Sequence, residues 1–292
     1  MLTLASDFPD PYPAAMRGVV YDRCGGDLTL VDVAHDLPRG DVEAAAFWLA
    51  QVLPYVPPAV HCAVVDPTVG TDRAVLLARV GEHALVGPDN GLCLPAARAI
   101  AAGDPDAALV AGGDGSDPEG PAPTVALGAD RDADVELFVR SVADPASNTF
   151  HGRDVFAPTA AAVHEAGVDA LESVAGVEPA PSYVDCTFPR PTVRDDGASG
   201  TVLVVDGFGN VITNVPGSVL TDREAVTVTA GDTDAERVPV GRSYAAVPAG
   251  RRLATVGSHG NVELAVDHGR GDEAFGVGAG DAVDLRWGGD GD

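Results

Sequence analysis

Two carboxylates, a guanidinium and an imidazole stand out by type and position. Asp66 closes the apolar run Val60–Val65, and Arg73 follows it by seven positions across a Pro/Gly/Thr turn. Far downstream, Ser147-Asn148-Thr149-Phe150-His151-Gly152-Arg153-Asp154 sets His151 just ahead of a helical pattern. Asp7 ends a third stretch, the alternating Leu2–Phe8, which Pro9-Asp10-Pro11 break. In open α/β sheets ligands bind beyond the carboxyl ends of strands, so Asp7 and Asp66 fall where a site is expected. A carboxylate tied to an Arg, beside an imidazole, can orient a water and take its proton. Each feature also has a plainer use. Arg73 and Asp66 could brace a turn, Asp7 could cap the helix that follows it, and His35 at the end of Leu28–Val33 reads as structural.

Regular elements must hold these groups. The pattern predicts strands at 2–8, 28–33, 60–65, 74–80, 83–87 and 135–139. Helices are expected at 12–20, at 41–53 with Asp41 as its cap, at 92–102 and at 156–167, where Pro158 fits a first turn. The run at 60–65 is apolar throughout apart from His61, as parallel strands covered on both faces are. Gly87-Pro88-Asp89-Asn90-Gly91 signals a turn. Residues 103–134 turn to Gly, Asp, Pro and Ala, a composition poor in large apolars that reads as an acidic surface insertion. Thr149–Asp154 reads as a loop opening the last helix. Beyond about 195 every segment is a short strand between Gly-containing turns (200–205, 211–215, 225–229, 237–240, 253–256, 261–266 and 282–287), which points to a small β-barrel or sandwich. The expectation is an α/β + β protein: an N-terminal α/β sandwich-like domain at 1–185 with a mainly parallel sheet, carrying the insertion, and a small C-terminal β domain at 195–292. A site at the junction of two such domains is the default.

Composition narrows the partners. Of 292 residues, 44 are acidic and 18 basic, and every basic one is Arg, for a net charge of −26. Such a surface repels nucleic-acid backbones and anionic membranes, so neither is an expected partner. It resembles the halophilic, archaeal-like coats that stay soluble at high salt, where self-repulsion is screened. No apolar run is long enough to span a bilayer. No basic segment precedes the first apolar residues, so a cytoplasmic location is expected. Cys24, Cys62, Cys93 and Cys186 are widely spaced without a C-x-x-C pattern, which predicts buried free thiols, no disulfide and no metal site.

Five segments then fall in order: Leu4-Ala5-Ser6-Asp7-Phe8, Val65-Asp66-Pro67-Thr68-Val69-Gly70-Thr71-Asp72-Arg73, Pro88-Asp89-Asn90-Gly91, Asn148 to Pro158, and Asp206-Gly207-Phe208-Gly209-Asn210-Val211-Ile212-Thr213-Asn214. Together they resemble the S-adenosyl-L-methionine (SAM) hydroxide adenosyltransferases, relatives of the fluorinase and chlorinase enzymes. The likeness covers nearly the whole chain except 103–134. It implies hydrolysis of SAM to adenosine and L-methionine, with SAM as substrate and no further cofactor. It implies a catalytic set at Asp66, Arg73 and His151, and a homotrimer in which SAM lies between the α/β domain of one subunit and the β domain of the next. For binding, Asp7 is expected on the ribose hydroxyls, Phe208 on the adenine and Asp206 on the methionine ammonium, while Asn210 offers paired donor and acceptor groups. Ser258 and Glu263 are expected at the methionine end, and the backbone at Val266 at the adenine edge. Alternation along 261–266 could equally turn Glu263 to solvent. The fluorinase carries Tyr where this chain has Asp66 and His151, and a halide-binding Ser where it has Gly152, which favours water as the nucleophile. A chlorinase, and a SAM- or adenosine-binding sensor without turnover, remain the alternatives. The family usually has Gly after Asp-Phe, whereas this chain has Pro9.

Overall fold

The computed structural model describes residues 1–68, 70, 73–105, 134–141, 147, 149–231 and 233–287, with the backbone alone at 124–126. Most of the 103–134 segment therefore lies outside the described residues, as do Val69, Thr71, Asp72 and Asn148. The chain divides into two compact units, with the break between Cys186 and Thr187.

The first unit is built on a seven-stranded sheet. Its strands are β1 (Leu2–Ser6), β2 (Leu30–Ala34), β3 (Val60–Val64), β4 (Val75–Val80), β5 (His83–Pro88), β7 (Glu136–Arg140) and β8 (Val177–Pro179), in the order β2-β1-β3-β5-β4-β7-β8. A separate short pair joins β6 (Thr124–Ala126) to β9 (Ser182–Val184), so part of the stretch read as an insertion is strand. The sheet is mixed, where the sequence pattern points to a mainly parallel one. Strands β2, β1, β3 and β5 run parallel, and β5-β4-β7-β8 run antiparallel. The cause is local: β4 and β5 pair from Val80 to His83 around a two-residue turn, with Gly81 at a φ of 53°. A loop that short joins only antiparallel strands.

Alternation places Leu2, Leu4, Val60, Cys62, Val64, Leu77 and Val86 on one apolar face. Helices α1 (Tyr12–Cys24) and α4 (Ala157–Ala166) pack together and contribute Met16, Val20, Ala157, Ala160 and Val163 to that core. Helices α2 (Val42–Val52) and α3 (Leu94–Ala102) pack on one another, and α3 also contacts β4. The Asp41 carboxylate caps α2 by accepting the Ala44 N–H at 2.9 Å, as the sequence predicts. All four thiols are free. Cys62 and Cys93 are buried, while Cys24 and Cys186 are half-buried. No helix among the described residues is long and apolar enough to cross a membrane.

The second unit contains β10 (Thr192–Arg194), β11 (Gly197–Val205), β12 (Val211–Pro216), β13 (Ala225–Ala230), β14 (Glu236–Pro239), β15 (Arg252–Val256), β16 (Asn261–Val266) and β17 (Ala282–Arg286). The antiparallel order is β14-β13-β17-β11-β12-β16-β15, with β10 paired to β11. The two edges nearly meet: Val240 bridges Ala254, and the Gly241 N–H donates to the Ala254 carbonyl at 3.0 Å. That contact turns the sheet into a barrel and covers its outer strands. Its interior holds Val202, Val211, Val226, Val228, Leu264, Phe275 and Leu285.

Candidate active site

In the first unit, the parallel strands end on a pocket of about 690 Å³. Asp7 follows β1 and Asp66 lies just past β3, so both carboxylates stand at carboxyl ends of neighbouring parallel strands. Asp7, Asp66 and His151 all line this pocket, with Phe8, Tyr12, Arg39, Phe150, Gly152 and Phe156 among the other walls.

Asp7 is anchored by one carboxylate oxygen, which accepts the Gly40 N–H at 2.9 Å. Its other oxygen adds acceptor capacity to the pocket wall. The Asp66 carboxylate is almost covered, with 5% of its side chain exposed. Its Oδ1 accepts hydrogen bonds from the Thr68 N–H and hydroxyl, both at 3.2 Å, and lies 3.4 Å from Arg73 Nε. Arg73 does not line the pocket. It sits behind Asp66, giving Nη1 to the Asp89 carbonyl at 2.8 Å and Nη2 to Thr68 Oγ1 at 2.7 Å. Asp89 is fixed in turn by the Val184 N–H at 2.8 Å. Burial raises its carboxyl above the usual range, although that bond and the Arg73 charge pull it down. Arg73 thus acts on the pocket through Asp66 and Thr68.

His151 stands where the chain turns helical. The stretch read from sequence as a loop is already helical at His151 (φ −60°, ψ −27°), and Gly152–Phe156 form a π-helical turn before α4. Such turns are rare and cluster at functional positions. His151 is 4% exposed, and its Nε2 has no hydrogen-bond partner among the described residues. A buried nitrogen that lines a pocket unpaired is available to whatever occupies it. Nearby, Arg153 grips Asp154 through bonds of 2.6 and 2.8 Å and holds that carboxyl below its usual range, with His151 adding to the effect.

Gly152 is set by packing. A Cβ there would lie 2.5 Å from Cε2 of Phe8 and 3.2 Å from the Met16 sulfur. The Phe8 ring meets Phe150 edge-on at 5.4 Å, and Tyr12 meets Phe150 likewise at 5.3 Å, forming an aromatic wall. Gly152→Ser should therefore displace Phe8. The expected cost is about 1–3 kcal/mol of stability, as for other overpacked sites, read as a lower urea midpoint with an unchanged slope.

The remaining sequence-predicted residues lie in the second unit. Asp206 to Asn210 form the β11–β12 turn, in which Asp206 Oδ1 accepts the Phe208 and Asn210 N–H groups at 2.9 and 2.8 Å, and Oδ2 accepts Asn210 Nδ2 at 2.9 Å. Gly209 sits at φ 88°, and a Cβ there would strike Arg270 and Asp272. Phe208 tips this turn with 81% of its surface exposed. Glu263 is buried, not solvent-facing as simple alternation allowed. Its Oε1 accepts the Tyr244 hydroxyl at 2.6 Å, Asn210 Nδ2 reaches the same hydroxyl at 3.3 Å, and His259 Nε2 lies 3.4 Å from Oε2. Tyr244 therefore links two predicted residues. Its phenol is raised above its usual range by burial, and next by the bond to Glu263. Ser258 is exposed, and the Val266 carbonyl accepts the Gly269 N–H at 3.2 Å. Among the described residues, no group of three or more His, Cys, Asp or Glu could hold a metal ion.

Fold and pocket define a class: an α/β unit and a β-barrel unit, with a pocket at the carboxyl ends of parallel strands that gathers two carboxylates and an imidazole. Models of the SAM hydroxide adenosyltransferase N-terminal and C-terminal domains match residues 2–113 and 200–284. The chain belongs to the SAM hydroxide adenosyltransferase family. A protein of Salinispora tropica named (R)-S-adenosyl-L-methionine hydrolase is 40% identical over 214 residues, covering 72% of this chain and 69% of that protein. One of the same name from Thermus thermophilus is 38% identical over 245 residues, covering 83% and 82%. Among solved structures, a conserved hypothetical protein from Thermus thermophilus aligns with a TM-score of 0.65 at 33% identity, covering 97% of this chain and 98% of that one. An uncharacterized conserved protein from Thermotoga maritima aligns at 0.74 and 24% identity over 98% and 100%, a likeness of fold.

Proposed function

We propose that this protein hydrolyses SAM to adenosine and L-methionine by attack of an activated water on the C5′ carbon. The observation that carries the reading is the pocket that gathers Asp7, Asp66 and the unpaired Nε2 of His151. Relatives at 38–40% identity named (R)-S-adenosyl-L-methionine hydrolase support the substrate.

The chemistry suits the residues. SAM is a sulfonium, so its C5′–S bond breaks with both electrons going to sulfur, and methionine leaves neutral without needing an acid. The demand falls on the nucleophile. In this reading Asp66 orients the water, His151 Nε2 takes its proton as the C5′–O bond forms, and Arg73 with Thr68 holds Asp66 at its angle. Asp7 takes the ribose hydroxyls. Asp206, Phe208, Asn210, Ser258, Glu263 and Val266 bind the adenine and methionine ends, in a homotrimer whose neighbouring copies supply the second unit to each site. A cytoplasmic location belongs to the same reading.

Water is favoured over chloride by two features. The Phe8 edge occupies the place a side chain at 152 would need, and the Asp66 carboxylate would repel an anion. The test follows SAM consumption by mass spectrometry in chloride and in a non-halide salt. Equal rates giving adenosine and methionine support hydrolysis, 5′-chloro-5′-deoxyadenosine in chloride alone would make it a chlorinase, and binding without turnover would make it a sensor.

The acidic coat is proposed as an adaptation to salt. Screening shortens from about 10 Å at 0.1 M to about 3 Å at 1 M, so Tm should rise steadily over that range of KCl. A flat or falling Tm would contradict the reading.

A further inference from the structure

A hydrogen-bonded chain outside the pocket ends on the Asp7 turn. Ser6, the last residue of β1, is fully buried, and its Oγ lies 2.8 Å from His35 Nδ1. His35 Nε2 lies 3.0 Å from Asp32 Oδ1, and Arg17 donates to the other Asp32 oxygen at 2.6 Å. The Phe8 N–H reaches back to the same Ser6 Oγ at 3.4 Å.

The chain exists because β2 slips against β1. The register runs Leu4 to Asp32 and then Ala5 to Ala34, leaving Val33 as an extra residue. Such a bulge re-aims the side chains beyond it, and here it accompanies His35 beside Ser6.

Proton order follows from the ends. The Asp32 carboxylate can only accept, so His35 Nε2–H donates to it; in the tautomer that carries its proton on Nε2, Nδ1 is bare. That nitrogen accepts the Ser6 O–H, which leaves the Ser6 lone pairs free to accept the Phe8 N–H. Every donor in the run is used once, in one direction.

The arrangement has the residue types of a nucleophilic triad, but Ser6 is wholly buried and does not line the pocket. We propose instead that His35 is a positioning residue: through Ser6 it fixes the backbone between Asp7 and Phe8, and so the carboxylate that receives the ribose. The proposal rests on the binding role given to Asp7. Two further bonds hold the same turn, from Gly40 N–H to the Asp7 carboxylate and from Asp7 N–H to the Val64 carbonyl at 3.4 Å. Loss of His35 therefore loosens the turn without freeing it.

The test compares His35→Ala, His35→Asn, Asp7→Ala and the His35→Ala/Asp7→Ala pair, measuring SAM turnover and, by calorimetry, adenosine affinity. His35→Ala should raise KM and the adenosine Kd by about ten-fold and leave kcat within about three-fold, the scale of one lost hydrogen bond. His35→Asn, whose Oδ1 can stand where Nδ1 stood, should recover most of the loss. The pair should bind no worse than Asp7→Ala alone. Unchanged KM and Kd in His35→Ala, with both raised in Asp7→Ala, would overturn the proposal and leave the Asp7 reading intact. Unchanged adenosine affinity in Asp7→Ala would overturn the Asp7 reading. The Phe8 amide then decides the positioning claim by itself: its hydrogen exchange should quicken in His35→Ala, and an unchanged rate rejects it. Asp32→Ala, at an exposed position, repeats the comparison if His35→Ala fails to fold.

Discussion

Replacing His151 by alanine is expected to lower kcat for SAM by roughly 10²–10⁴-fold, the usual contribution of a positioned proton acceptor. Asp66→Asn should fall in the same range, because the amide keeps the shape but presents a donor where the water needs an acceptor. KM should move little in either variant, since neither group is assigned to the ribose or the adenine. The two residues act on one water, so the double variant should be little worse than the poorer single one. Thermal unfolding of each variant checks that the fold survives. A His151→Ala protein with near-normal kcat would remove the proton-transfer step from the account.

The second large effect concerns stability in acid. His61 is the second residue of β3, 1% exposed, with Nδ1 at 2.8 Å from Thr3 Oγ1 and Nε2 at 3.0 Å from His83 Nδ1. The two rings stack at 5.3 Å. Burial, and then the neighbouring His83, pushes His61 down to about 3 from an ordinary 6.5. The unfolded chain therefore takes up a proton below pH 6.5 that the folded chain refuses until about pH 3. Stability contributed by the neutral ring is present above pH 6.5 and is lost as pH falls through that window, at up to about 1.4 kcal/mol per pH unit. Between pH 7 and 5 this amounts to about 2 kcal/mol. Urea unfolding of the wild type and His61→Gln at both pH values isolates it, because the many carboxylates contribute equally to both proteins. The wild type should lose about 2 kcal/mol more than the variant; equal losses would mean that His61 accepts its proton in the folded state. Thr3 and His61 lie on the strands that end in Asp7 and Asp66, so acid should loosen the pocket's own supports.

The placement of two pocket carboxylates is legible in the sequence. Asp7 and Asp66 could be placed because apolar strands ending in an acidic residue put it at the sheet's carboxyl edge, and β1 and β3 pair in register from Leu2–Val60 to Ser6–Val64. The sequence could not show that Arg73 stands behind Asp66, since a spacing of seven across a turn does not fix a direction. Nor could it show the helical start at His151, because π-helical turns have no strong residue signature. Arg39, Tyr12 and Phe150 were missed as pocket walls, since nothing marks them out until the loops come together. Glu263 was undecidable by alternation. Its environment is set by the Tyr244 hydroxyl, nineteen positions away. The short strands β8, β9 and β10 were missed because three residues carry too little periodicity to read.

The most direct test of the central claim is the fate of the water oxygen. Purified protein is incubated with SAM in ¹⁸O-water, and both products are weighed by mass spectrometry. Attack at C5′ predicts one ¹⁸O atom in adenosine, in its 5′-hydroxyl, and none in methionine, with the yield suppressed in His151→Ala. Unlabelled adenosine, or label in methionine, would contradict direct displacement by water.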